Sequence, residues 1–317
     1  TIITGFLGAG KTTLLNHLLG QAGGERVAVI VNEYGEIGVD GQLVVETADT
    51  IVELNNGCIC CTVRGDLVAA IGELVASGRP IDRMIVETSG LADPAPVIQS
   101  FVLDDVLRAN VQLDAIVTVV DARHLLRQLT HDEAREQVAF ADVVLINKID
   151  LEDAATIEAT EREVRRLNPL ARIHRVRDGA APREQVLDVG AFDLKNLLAI
   201  EPDLLGDHEH EHDGDIGCVA LRIEGALAPE LFNRWLAGLT QERGADLLRM
   251  KGVLSFAGEN RRYVFHGVHM TLDGRPGRPW GAAELRSSQL VFIGRGLDAA
   301  SIESGVSACQ AVAAAAA

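Results

Sequence analysis

Residues 5–13 read Gly5-Phe6-Leu7-Gly8-Ala9-Gly10-Lys11-Thr12-Thr13, a glycine-rich stretch that closes on a lysine and two hydroxyl residues. Thr1–Thr4 before it reads as the end of a strand. Thr12–Gln21 after it reads as a helix with Leu14, Leu15, Leu18 and Leu19 on one face. A glycine-rich turn between strand and helix lets backbone N–H groups surround phosphate oxygens, and the helix N-terminus adds a favourable field. In that P-loop pattern Gly5, Gly8, Ala9 and Gly10 bring the backbone close. Lys11 reaches the β- and γ-phosphates, the Thr12 hydroxyl ligates Mg2+, and Thr13 completes the phosphate-binding set. The expected fold class is therefore α/β: a P-loop NTPase domain with a mostly parallel sheet.

Working outward, short apolar runs at Val27–Val31, Arg83–Val86, Ala115–Val120 and Val143–Ile146 suit strands buried on both faces of a parallel sheet. Ile157–Leu167 has the pattern of an amphipathic helix. The run at 143–146 ends in Asn147-Lys148-Ile149-Asp150, at the strand edge where open parallel sheets bind ligands. A carboxylate at Asp150 accepts from both N1–H and the N2 amino group of guanine, which adenine does not offer. The expected nucleotide is GTP. Ile85-Val86-Glu87-Thr88-Ser89-Gly90 has the form of a Walker B strand end. Glu87 is expected to hold the Mg2+ shell, making Lys11, Thr12 and Glu87 the catalytic set, and Gly90 to follow the γ-phosphate. No glutamine beside Gly90 is evident for positioning water, so slow intrinsic hydrolysis is expected.

The stretch Glu201–Asp215, EPDLLGDHEHEHDGD, is acidic, broken by Pro202, Gly206 and Gly214, and reads as a linker. The expected organisation is a P-loop domain over 1–200, a linker over 201–215, a smaller α+β domain over 216–298 and a tail over 299–317 that holds room for one more helix. In the smaller domain, strands are expected at Val219–Ile223, Val253–Phe256, Arg262–Val268 and Leu290–Ile293, with a helix at Pro229–Arg243.

Composition narrows the partners. With 29 basic against 46 acidic residues the chain carries a net charge of −17, which repels phosphate backbones and anionic lipid. Aromatic residues are only 4%, too few for base-stacking platforms. No nucleic-acid or membrane partner is expected, and no apolar run reaches membrane-spanning length. Five cysteines, an odd number with three crowded together, do not form a disulfide framework, and a reducing cytoplasmic location is expected.

Those three are Cys58-Ile59-Cys60-Cys61. Cys58 and Cys60 face the same way on extended backbone, and the preceding Asn55-Asn56-Gly57 favours a turn that lets Cys61 converge with them. A thiolate set suits Zn2+ with a fourth ligand from carboxylate, imidazole or water, and Co2+ tolerates the same shell. Glu36, and more weakly His124, are the candidates for the further ligand. A buried-core role for three cysteines in four residues is a poor pattern, and a redox role favours CxxC. Cys218 and Cys309 read as ordinary core or tail residues. His208, His210 and His212 read equally as a charged tether or a weak ion collector, and His266 and His269 as structural or client-facing.

Together these residues resemble the CobW-type GTPases, cytoplasmic metallochaperones related to the urease and hydrogenase nickel-insertion GTPases. The resemblance runs through GFLGAGKTT (5–13), VNEYGEIGVD (31–40), NNGCICC (55–61), ETSGLADP (87–94), VDA (120–122) and NKID (147–150). It continues through RMKG (249–252), VFHGVH (264–269), RPWG (278–281) and LVFIG (290–294). It implies a G domain with a metal site coupled to GTP, followed by a smaller carboxyl-terminal domain. Members differ in metal and client, so neither is carried over. The expected function is a GTP-hydrolysing metallochaperone that delivers a divalent metal, zinc in the leading reading, to a client metalloprotein, with a homo-oligomer possible. The alternatives are cobalt delivery to cobalamin synthesis or nitrile hydratase, and a zinc buffer or sensor with a regulatory G domain. A small-molecule kinase is disfavoured by Asn147–Asp150.

Overall fold

The computed structural model describes residues 1–33, 50–55, 62–191, 216–281 and 284–311. The chain divides into two compact units, Thr1–Ala191 and Phe192–Ala317.

The first unit alternates strands and helices: β1 Ile2–Thr4, α1 Lys11–Gly20, β2 Val27–Glu33, β3 Thr50–Asn55, α2 Thr62–Ala76, β4 Arg83–Glu87, α3 Ala95–Leu103 and α4 Asp105–Asn110. It continues with β5 Ile116–Asp121, α5 Leu125–Gln128, α6 Asp132–Phe140, β6 Val143–Asn147, α7 Ala154–Leu167, β7 Arg172–Arg175 and α8 Arg183–Val186. The seven strands form one sheet in the order β3-β2-β4-β1-β5-β6-β7. Every pairing among them is parallel. Unbroken β-branched and leucine runs make this possible, since every residue of β5 and β6 is buried. Full burial of each such Val, Ile or Leu side chain contributes roughly 1.5–3 kcal/mol. Helix starts are set locally: Asp104 accepts from the N–H groups of Val106 and Leu107, and Asp153 from that of Thr156.

β1 lies mid-sheet between β4 and β5, and the 5–10 loop leaves its carboxyl end. Two glycines there are obligatory. A Cβ on Gly5 (φ +140°) would lie 2.1 Å from the Val119 carbonyl oxygen, and one on Gly10 (φ +107°) 2.4 Å from Asn147 Nδ2. The expected strands and helices in this unit are all present, and two strands, β3 (with Asn55, read as part of a turn, as its last residue) and the four-residue β7 (Arg-Ile-His-Arg), were not anticipated.

The second unit is an antiparallel sheet in the order β11-β10-β9-β12-β8, where β8 is Ile216–Glu224, β9 Leu247–Ser255, β10 Arg261–Val268, β11 Thr271–Pro279 and β12 Ser287–Arg295. Helices α9 Pro229–Arg243 and α10 Ala299–Ser307 complete it. Phe232 and Leu236 of α9 and Ile302 and Val306 of α10 share one core with Met250, Leu254, Phe265 and Phe292. Phe232 is ringed by Trp235, Phe256 and Phe265 at 5.7–6.1 Å between centroids. Two corrections follow. β9 begins at Leu247 rather than Val253, because Arg249 and Lys251 are buried in it despite their charge. The stretch 299–317, expected as a tail, contributes core residues as far as Cys309, and its helix is capped by Asp298 accepting from the Ser301 N–H. The linker 201–215 lies outside the described residues. Among those described, no helix is long and apolar enough to cross a membrane.

Candidate nucleotide site

The loop after β1 turns into α1 at Lys11, whose side chain is buried and whose Nζ donates to the Phe6 carbonyl at 3.4 Å. The next residue crosses to a neighbouring strand: the Thr12 hydroxyl donates to Glu87 Oε1 at 2.9 Å. Glu87 closes β4 and is 3% exposed. A hydroxyl and a carboxylate converging beside a phosphate loop are hard oxygen donors of the kind Mg2+ takes, so these residues fit that ion. Behind them the Thr88 hydroxyl donates to Thr4 Oγ1 at 2.8 Å, tying the ends of β4 and β1 together.

The second strand end is joined to the first by side chains. Asn147, 2% exposed at the end of β6, donates from Nδ2 to the Ala9 carbonyl at 2.9 Å, and its Oδ1 accepts from the Gly179 N–H at 3.0 Å. One amide thus braces the phosphate loop against the loop after β7. Lys148 takes a left-handed backbone (φ +62°) that turns its chain back over the site. Its Nζ donates to the Gly8 carbonyl at 2.6 Å and to Asp121 Oδ2 at 2.7 Å. Asp150 follows in a short 3-10 turn, Ile149–Leu151, where the Arg177 guanidinium Nε lies 3.7 Å from its Oδ1.

Asp121 ends β5 and is 2% exposed. Burial pushes its carboxyl up, but hydrogen bonds from Lys148, His124 and the Arg123 N–H together outweigh this and hold it below its ordinary value. His124, weighed as a metal ligand, instead sets Nδ1 at 3.0 Å from Asp121 Oδ2.

Of the expected nucleotide residues, the structure brings together Gly5, Gly8, Ala9, Gly10, Lys11, Thr12, Glu87, Asn147 and Lys148. Gly90 sits against the loop, its Cα within a Cβ's reach of Leu7. Thr13 is the third residue of α1, and Asp150 stands beyond Lys148. Cys58, Cys60, Cys61 and Glu36 lie outside the described residues, as do His208, His210 and His212. Among the described residues no group of three or more His, Cys, Asp or Glu is placed to hold a metal. Of the remaining candidates, His266 is buried and His269 Nδ1 lies 3.3 Å from the Gly244 carbonyl. Burial pushes the Cys218 thiol up to about 12 and raises that of Cys309, which lies in the core of its domain. Sequence reasoning gave Asp121 no role beyond its place in the VDA motif, and passed over Gly179 and Gln137. Only Asp121 left a signal, as an acidic residue closing an apolar strand.

Residues 1–175 match the family described as CobW/HypB/UreG, nucleotide-binding domain, and residues 216–310 match the cobalamin synthesis protein cobW C-terminal domain. The chain is 35% identical to the zinc chaperone YjiA of Escherichia coli K12, covering 93% of each protein. It is 30% identical to zinc-regulated GTPase metalloprotein activator 1 of Schizosaccharomyces pombe, covering 94% of this chain and 82% of the relative. The crystal structure of Zn(II)-bound YjiA GTPase from E. coli superposes with a TM-score of 0.75 at 28% identity, covering 98% of both chains. With both domains matched and relatives of 30–35% identity along nearly the whole chain, the chain belongs to the CobW/HypB/UreG family of P-loop GTPases.

Proposed function

We propose that this protein is a GTP-driven metallochaperone whose cargo is zinc and whose acceptor is a client metalloprotein. The observation that carries this reading is the bracing of the strand end at Asn147 and Lys148 onto the glycine-rich loop, in a chain whose relatives, matched over 82–93% of their own length, are named zinc chaperone and metalloprotein activator.

In this reading Asp150 accepts from guanine N1–H and N2. The backbone of Gly5–Gly10 and Lys11 hold the phosphates, drawing charge from the γ-phosphoryl group as it transfers. Thr12 and Glu87 are the residues that would hold Mg2+, which would supply charge neutralisation for the transferring phosphoryl group. Cys58, Cys60 and Cys61, with Glu36 as the further ligand, take the zinc cargo as thiolates. They lie in sequence between the phosphate loop and Glu87, where segments ordered by γ-phosphate commonly fall. GTP favours one arrangement of the thiolates and hydrolysis loosens it, releasing the ion to the client.

Linkage makes the coupling reciprocal, so zinc and GTP must each alter the other's affinity, typically by ~1–3 kcal/mol. The test is a zinc competition titration with GDP and with a non-hydrolysable GTP analogue. Equal zinc affinities in the two states would defeat the coupling. Cys60→Ser is expected to abolish tight zinc binding and leave guanine-nucleotide binding intact.

A further inference from the structure

The turn after Glu87 is suspended between two parts of the domain. On one side Gly90 packs so closely on the phosphate loop that a Cβ there would lie 2.8 Å from the Leu7 nitrogen and 2.7 Å from its Cδ2. On the other side stands Gln137 of α6, 1% exposed, whose Nε2 donates to the Gly90 carbonyl at 3.2 Å and to the Ala92 carbonyl at 3.1 Å. The turn is closed by the Ala92 N–H donating to the Ser89 carbonyl at 3.1 Å. Gln137 is itself fixed: its own carbonyl accepts from the buried Thr118 hydroxyl of β5 at 2.7 Å. The sheet thus holds the helix residue, and the helix residue holds the turn.

We propose that Gln137 is a positioning residue for triphosphate recognition, its side-chain amide fixing the Gly90–Ala92 turn in the place from which Gly90 follows the γ-phosphate. This rests on the GTPase reading of the site and adds to it a residue that touches no nucleotide. A carboxamide suits the task because one nitrogen supplies two N–H donors to two carbonyls. An apolar side chain of the same length leaves both carbonyls without that donor, and a carboxylate sets acceptor against acceptor. In this reading GDP lacks the phosphoryl group that Gly90 follows, so only the triphosphate engages the turn. A residue that only stabilised the domain would weaken both nucleotides alike.

The experiment is equilibrium binding of GDP and of a non-hydrolysable GTP analogue to the full chain as wild type, Gln137→Met and Gln137→Glu, with kcat and KM for GTP. The expected result is GDP affinity within about twofold of wild type and analogue affinity about tenfold weaker, a loss of ~1.4 kcal/mol, in both variants. The loss is expected in kcat as well as in KM, because the turn meets the group being transferred. Equal losses for the two nucleotides, or unchanged analogue affinity, would overturn the proposal. Wild-type protein that binds neither nucleotide would instead remove the GTPase reading beneath it, and that result is visible before any variant is made.

Discussion

The two domains both bury polar side chains, and they do so in different places. In the first, Asn147, Asp121, Glu87 and Thr88 sit at or just past the carboxyl ends of parallel strands, and each bonds to a group far away in sequence. In the second, Arg262 lies inside a strand, 1% exposed. Its guanidinium is stacked 4.3 Å over the Trp280 ring and paired with Glu284. Trp280 and Glu284 belong to the connection between β11 and β12, so this arginine pins a loop of its own domain. A parallel sheet collects its strand ends, and the loops leaving them, along one edge, which favours a ligand site there. An antiparallel sheet alternates its ends, and a polar residue within it serves the scaffold.

The strongest challenge to this contrast is Asn147→Ala. It removes two buried hydrogen bonds and strands the Ala9 carbonyl and Gly179 N–H, so a loss of about 2–4 kcal/mol is expected in chemical denaturation. Nucleotide affinity should fall by about a hundredfold, because the loop loses its brace. Stability lost without affinity would mean the strand end is scaffold too.

Arg262→Leu should cost less, about 1–3 kcal/mol, chiefly through lost packing on Trp280, since Glu284 keeps partial access to water. GDP affinity should be unchanged by calorimetry. A change beyond about twofold would break the comparison from the other side.

The smallest effect is an acid one. Asp121 is held below its ordinary pKa when folded, so its contribution to stability is complete above the unfolded value of about 3.9 and fades as pH falls through the lower folded value. Asp121→Asn should therefore flatten the acid limb of the stability profile and leave the slope above about pH 5 unaltered. A wild-type and variant pair with identical acid limbs would show that Lys148 and His124 do not stabilise the carboxylate.

What the sequence made legible follows the same division. The glycine-rich loop after β1 and the Asn147–Asp150 strand end were readable as elements because each is a run of contiguous residues beside an apolar strand. Gln137 was not, because its partners lie 47 and 45 residues away. Gly179 looks like any turn glycine until its N–H is seen on Asn147, 32 residues distant. In the second domain the helix at Pro229–Arg243 was plain from its proline start and apolar face. β11, reading TLDGRPGRP, was not: two prolines and two glycines look like a turn, and only a sheet edge tolerates them as a strand. Arg249 and Lys251 concealed the first half of β9 because charge is a poor signal for a buried strand.

The brace on the phosphate loop also sets an order of events at the ribosome. The donors to the Gly8 and Ala9 carbonyls are made 140 and 138 residues after the loop itself, and Asn147 gains its own anchor only at Gly179. At ordinary elongation rates that interval is about seven to thirty seconds. A nascent chain halted before Asn147 carries the loop's sequence without its frame and is expected to retain no nucleotide. The loop's brace therefore forms only once the chain through Gly179 has been made.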